Sequence, residues 1–219
     1  RCSRDWSSDV CSSDLPDLGP NGPNPGQPHF GPNGPNPGNL NLGANSPKDV
    51  LPSAGNYHIH NDQLGEGGQR TKADRNIEAI RSLMTIEREA RSATTAEQEI
   101  LAQYVGWGGI PQIFDEENAD WSERRDGLKE LLTPEEYASA RASTLNAHYT
   151  TPTVIRAIYQ GLANLGFRKG NILEPACGIG NFFGMLPVEM AESKLYGVEL
   201  DSVTGRIAQK LYPDAAIRI

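Results

Sequence analysis

The sequence predicts a mixed α/β fold, with a mainly helical region leading into the first strands of a parallel sheet. Three observations predict it. Apolar residues between Thr71 and Leu162 recur at the spacing of one helix face, behind helix-start signals at Thr94, Thr133 and Thr151. From Asn171 the pattern changes to short apolar runs, one opening at Asn171 and running into a turn that carries Glu174, the others at Leu195–Asp201 and Ala215–Ile219, with a helical stretch, Ser202–Leu211, between the last two. A tight turn carrying Gly178 and Gly180 joins the first run to the start of a helix.

Ahead of the helices the chain has no material for a core. Asp9-Val10-Cys11-Ser12-Ser13-Asp14-Leu15 is what translating the end of a common sequencing adapter yields. Residues 1–15 are therefore set aside as a tag would be; a natural Ser/Asp-rich disordered terminus has the same structural consequence. Ten of the 16 prolines fall between Pro16 and Pro52, and Gly-Pro-Asn-Gly-Pro-Asn-Pro-Gly starts at Gly19 and again at Gly31. Proline removes donors and glycine raises the entropy cost of ordering, so residues 16–55 are expected to be a disordered linker.

The totals bound what remains. A chain of 219 residues suffices for one domain and a small second one. Hydrophobic residues make up 37% and mean hydropathy is −0.52, with neither a membrane-length apolar run nor a signal-peptide pattern. The net charge of −8 and pI near 5.0 argue against a free-standing nucleic-acid binder, because phosphate contacts need clustered Lys and Arg. Without Cys2 and Cys11 a single cysteine, Cys177, is left, so no disulfide framework or metal cluster is expected and a reducing cytoplasm fits.

The helical elements follow in order. Ile77, Ile80, Leu83 and Met84 define one helix up to about Arg91. Thr94-x-x-Glu97 is a capping box, with Ile100, Leu101, Tyr104 and Val105 behind it and Gly106 expected to end the helix. An amphipathic stretch covers roughly residues 121–132, and Thr133-Pro134-Glu135-Glu136 opens the next helix with a cap, a proline and a second capping box. Thr151-Pro152 repeats the device before Val154, Ile155, Ile158, Tyr159 and Leu162, and Gly166–Gly170 turns the chain into the first strand.

A strand, Gly-x-Gly and helix in that order form a nucleotide-type cofactor site. Charge separates the candidate cofactors. A dinucleotide brings an anionic pyrophosphate to this turn, where Glu174 would repel it. S-adenosylmethionine brings a sulfonium and an ammonium, which a carboxylate attracts. Glu174 is therefore expected to face the methionine ammonium, with Gly178 and Gly180 allowing close approach. Glu199 lies about twenty residues further on, the spacing at which an acid meets ribose hydroxyls. Such a charge-assisted contact contributes on the order of 1.5–3 kcal/mol. Asp201 is expected to cap the helix after it.

Glu174-Pro175-Ala176-Cys177-Gly178-Ile179-Gly180-Asn181-Phe182, followed by Gly197-Val198-Glu199-Leu200-Asp201, resembles the cofactor half of DNA N6-adenine methyltransferases. His148-Tyr149-Thr150-Thr151-Pro152 resembles that family's Tyr-Thr-Pro element, which closes over the methionine end of the cofactor. From about Asn56 onward the chain is similar to the amino-terminal part of the methyltransferase–helicase fusions of bacterial conjugative mobile elements. Leu64-Gly65-Glu66-Gly67-Gly68, Tyr104-Val105-Gly106-Trp107-Gly108-Gly109 and Ala142-Ser143-Thr144-Leu145-Asn146-Ala147-His148 carry that closer likeness.

The resemblance implies a partial Rossmann-like S-adenosyl-L-methionine-dependent sheet over residues 148–219, limited to its first three strands, with residues 56–147 as a helical extension. The second and third strands would lie to one side of the first, and the first strand would keep an open apolar edge. It implies cofactor contacts from Tyr149, Thr150, Pro175, Ala176, Asn181, Phe182 and Leu200 beside the residues above. It implies DNA as partner through regions outside this chain, a superfamily-two helicase region following, and a bacterial cytoplasmic setting. The family's Asp/Asn-Pro-Pro-Tyr/Phe element is absent from this sequence, so no catalytic residue is assigned. An RNA or protein methyltransferase, and a non-catalytic docking arm of a translocase or mobilisation protein, stay open as alternatives.

Other motifs read as structural. Cys177 has no evident His or Asn partner and is expected to pack in the turn, with Phe182 and Phe183 holding the helix to the sheet. Trp107 is expected in the core and Gly65–Gly68 as a turn. His58, His60 and Asp62 read as loop residues, and Asp115, Glu116 and Glu117 as a solvated turn without partners.

Overall fold

The apolar period from Ala73 forms helix α1, Gln69–Arg88, whose Ala73, Ile77, Ile80, Leu83 and Ile86 are buried. The computed structural model describes residues 54–60, 65–145, 147 and 149–219. Residues 1–53, Asp62, Leu64, Asn146 and His148 lie outside the described residues. The end of the expected linker is bonded to the helical region: the Ala54 N–H donates to the Ala93 carbonyl (3.4 Å) and Gln98 Nε2 to the Gly55 carbonyl (2.8 Å). The chain divides into two units, Arg1–Ser46 and Pro47–Ile219, and every described residue belongs to the second.

Helix α2, Thr95–Leu101, starts on a complete capping box: the Glu97 N–H donates to Thr94 Oγ1 (3.3 Å) and the Thr94 N–H to Glu97 Oε2 (2.9 Å). Arg91 grips the same carboxylate with two bonds of 2.6 Å. Gly106 does not end this helix, which stops at Leu101. The cause is Asn76, a fully buried amide on α1. Its Oδ1 accepts the Val105 N–H (2.8 Å) and its Nδ2 donates to the Gly106 carbonyl (2.6 Å). The backbone that would have continued the helix is committed to a side chain instead.

Helix α3, Ser122–Leu131, and helix α4, Pro134–Ser143, follow, the latter on the expected Thr133/Glu136 capping box. The acidic turn ahead of α3 is exposed but not without partners: Glu116 pairs with Lys129 (2.8 Å) and lies 3.6 Å from Arg125, whose side chain is buried. Helix α5, Pro152–Asn164, starts after Thr151, whose side chain makes no capping bond. Its backbone carbonyl accepts the N–H groups of Val154 (3.0 Å) and Ile155 (3.1 Å), and Pro152 has no N–H to satisfy.

Strands β1 (Asn171–Glu174), β2 (Lys194–Val198) and β3 (Ala216–Arg218) form a parallel sheet in the order β1-β2-β3, with Asn171 opposite Lys194 and Tyr196 opposite Ala216. Helix α6, Asn181–Gly184, is a single turn after β1, and helix α7, Ser202–Leu211, crosses over between β2 and β3. One sheet face, carrying Leu195 and Ile217, packs on Val203, Ile207 and Leu211 of α7 in the same core as α1, Leu101 and Trp107. The helical region and the sheet therefore share one interior. Arg206 of α7 adds ion pairs to Glu87 of α1 (2.7 Å) and to Glu136 of α4.

The other sheet face is open. Leu173, Tyr196 and Val198 are 63%, 37% and 44% exposed, and Leu173 stands on the free edge of β1. Parallel sheets are ordinarily covered on both faces. Open apolar strands of this kind drive association. The chain is expected to self-associate with rising concentration in analytical ultracentrifugation, and Leu173→Lys to raise the monomer fraction. A monodisperse monomer at every concentration would refute this.

Bonding to Arg91, with help from Thr94, holds the Glu97 carboxyl down at about 2 against the opposing effect of burial. A value depressed on folding stabilises the fold above the unfolded value near 4.5, and that stability is lost as pH falls toward about 2. Glu97→Gln is expected to lower the melting temperature at neutral pH, and the deficit to shrink across that acidic window. A deficit independent of pH would show that the charge contributes nothing.

Candidate functional site

The carboxyl ends of β1 and β2 open into a cleft of about 400 Å³, within the roughly 300–1,000 Å³ typical of small-molecule sites. Its floor is the turn between β1 and α6. Gly178 and Gly180 both have positive φ, 56° and 88°, which L side chains rarely adopt. The Cys177 N–H donates to the Val198 carbonyl (3.0 Å) and ties the turn to β2.

Glu199, just past β2, makes the second tie. Its Oε2 accepts the Gly178 N–H (2.8 Å) and its Oε1 the Asp201 N–H (2.9 Å). A carboxylate has about four acceptor sites. Two are used by the backbone, and two are left for hydroxyl groups of a ligand. Asp201 caps α7 as expected, its Oδ1 accepting the Thr204 N–H (2.8 Å), while its Oδ2 accepts the Ser139 hydroxyl of α4 (2.9 Å).

Of the residues expected at a cofactor site, Tyr149, Thr150, Glu174, Ala176, Gly178, Asn181, Phe182, Glu199 and Leu200 all line the cleft. Pro175 and Gly180 do not line it. Pro175 points to solvent, and Gly180 is buried with the Tyr212 ring where a Cβ would stand. Gly180 thus serves packing and the left-handed bend rather than close approach of a ligand. Phe183 packs in the core, and Phe182 meets Tyr159 edge-on at 6.1 Å while reaching the cleft.

The remaining walls come from the helical region. Tyr104 and Gly106, Ser139, Ala142 and Ser143 of α4, and Ala147 line the cleft, and Cys177, Asp201 and Thr204 complete the lining. Tyr104–Gly109 and Ala142–His148 both stand out in the sequence through the family likeness, whereas nothing local marks Ser139. Trp107 lines no part of the cleft and lies in the core, 1% exposed, edge-on to Tyr104 and Phe114.

Among the described residues the lining carries three carboxylates, Glu174, Glu199 and Asp201, and no Lys or Arg. Burial raises the Glu174 carboxyl above its ordinary value, against a lowering bond from the Ala176 N–H. A cation placed beside it would favour the charged form. Burial also lifts the Tyr149 phenol well above its ordinary range, with Tyr104, Glu199 and Asp201 adding to the shift. The Cys177 thiol is pushed up to about 11 by burial and then by Glu199 and Glu174. It is a neutral packing group, not a nucleophile.

Among the described residues no group of three or more His, Cys, Asp or Glu could hold a metal ion, and no helix is long and apolar enough to cross a membrane. His58 and His60 are exposed residues of a segment without regular structure.

The fold and site thus define a mixed α/β chain with an acidic cleft at the carboxyl ends of parallel strands. Among curated proteins it is similar to Defense against restriction protein B of Escherichia phage P1, 24% identical over 155 residues. That alignment spans 71% of this chain but only 5% of the phage protein. No family model matches the chain, and no solved structure matches it at a significant level.

Iodoacetamide labelling mapped by mass spectrometry is expected to leave Cys177 unmodified in the folded protein at neutral pH and to label it on unfolding. Fast labelling of folded Cys177 would contradict its assignment as a protonated, packed thiol.

Proposed function

We propose that this chain supplies the cofactor-binding part of an S-adenosylmethionine-dependent methyltransferase built on a Rossmann-like sheet, acting on adenine N6 in DNA. The observation that carries the reading is the charge of the cleft: three carboxylates and no Lys or Arg among its described lining residues. A pyrophosphate would be repelled there, whereas an ammonium and a sulfonium are attracted. The donor set fits the cofactor. Glu174 faces the methionine ammonium, and Glu199, with two acceptor sites unused, takes the two ribose hydroxyls. Tyr149 and Thr150 cover the methionine end, while Phe182 and Leu200 offer apolar surface, Leu200 being 97% exposed.

When bound, the cofactor supplies a methyl group on a sulfonium, a good leaving group for transfer to an amino nitrogen. The residues of this chain bind and orient it. No residue here is assigned to the target base, because the Asp/Asn-Pro-Pro-Tyr/Phe element that would hold the adenine amino group is absent from the sequence. We therefore place this chain in a larger DNA methyltransferase, joined to a helicase region in a bacterial mobile element, with DNA contacts made elsewhere. The chain's net charge of −8 agrees with that division of labour. Its likeness to a phage protein named for defence against restriction is in keeping with DNA as substrate.

Isothermal titration calorimetry with S-adenosylmethionine, S-adenosylhomocysteine and NAD tests the reading. Both adenosyl ligands are expected to bind and NAD not to bind. Glu199→Ala should weaken adenosyl binding by roughly tenfold or more. NAD binding, or unchanged affinity in Glu199→Ala, would overturn it.

A further inference from the structure

The segment Tyr104–Gly109 lines the cleft at Tyr104 and Gly106, and together with the buried Asn76 it also bears on Tyr149. Tyr149 belongs to no helix or strand. Its ring sits between two glycines. A Cβ on Gly178 would come within 2.9 Å of Tyr149 Cε1, and a Cβ on Gly106 within 3.1 Å of Cε2. Gly108 makes the same allowance one step back, since a Cβ there would fall on the Ala147 carbonyl oxygen. A side chain on Gly108 could not coexist with this position of Ala147, and one on Gly106 would crowd the Tyr149 ring. The loop that carries both glycines is held in turn by Asn76, whose amide bonds the Val105 N–H (2.8 Å) and the Gly106 carbonyl (2.6 Å). Asn76 is fully buried, and both of its amide atoms are spent on this loop.

We infer that Asn76 and the glycines Gly106 and Gly108 are positioning residues of the cofactor site, fixing where Tyr149 stands over the Gly178 turn. This rests on reading the cleft as an adenosyl-cofactor site. Gly108 is decisive because it lines no part of the cleft. An added methyl at that position touches no ligand and acts by displacing Ala147, two residues before Tyr149. Asn76 acts at one further remove. Asn76→Asp keeps the acceptor for the Val105 N–H but loses the donor to the Gly106 carbonyl, leaving that buried end of the link unmade.

The full chain is tested with 3-fluorotyrosine at position 149 in the wild type, Gly108→Ala and Asn76→Asp, and by calorimetry in these and in Tyr149→Ala and the Gly108→Ala/Tyr149→Ala pair. In the ligand-free protein, Gly108→Ala and Asn76→Asp are expected to shift or broaden the fluorine resonance, with the circular dichroism spectrum retained. In calorimetry with S-adenosylhomocysteine, each should weaken binding by about tenfold. The double variant should bind no worse than Tyr149→Ala alone, the non-additivity of residues acting through one another.

An unmoved resonance in both positioning variants, or additive losses in the double variant, would overturn the inference. Should Gly108→Ala fail to fold, Asn76→Asp carries both measurements. A moved resonance in a protein whose wild type binds no adenosyl ligand would refute the cofactor reading and with it the role proposed here, while leaving the packing of Tyr149 intact.

Discussion

The Glu199 carboxylate sets the geometry on which the cleft depends. By accepting the Gly178 and Asp201 N–H groups at 2.8 and 2.9 Å, it joins the turn after β1 to the end of β2. Two loops that would otherwise splay apart are held at one spacing. A carboxylate bonded by backbone donors is also fixed in orientation, so its free lone pairs point in set directions. The acid that shapes the turn thereby keeps two acceptor sites facing the cleft.

Around that link the helical region is a structural part of the site. Its core residues on α1 merge with those under β2 and β3, and Arg206 joins α7 to Glu87 and Glu136. Glu136 uses one oxygen to close the α4 capping box and the other to meet Arg206, so a local helix-start device also docks the helix. Ser139, one turn further, bonds Asp201 at the rim. The wall formed by α4 is small-residued, Ser139, Ala142 and Ser143, which leaves room beside the turn.

The electrostatics of the cleft are one-sided. Glu174, half-buried and with no Lys or Arg in the described lining, has its proton affinity raised by burial. The thiol and phenol beside the cleft carboxylates respond in the same direction and stay protonated. The described lining thus carries acidic groups and no Lys or Arg.

The sequence by itself determined the local devices. The capping boxes at Thr94 and Thr133, the cap at Asp201, the three short strands and the left-handed glycine turn all depend on residues a few positions apart. It also marked most of the cleft floor, because strand, turn and acid follow one another in order. Only the tertiary structure decided what distant residues do to one another. Asn76 ends α2 early from another helix, Tyr212 fills the space before Gly180, and Lys129 pairs with Glu116. The α4 wall, and the place of Tyr149 between Gly106 and Gly178, belong to the same class. Periodicity and propensity report how a segment folds upon its neighbours in the chain. Which buried amide or ring arrives from elsewhere is fixed by packing, and packing is a property of the whole core.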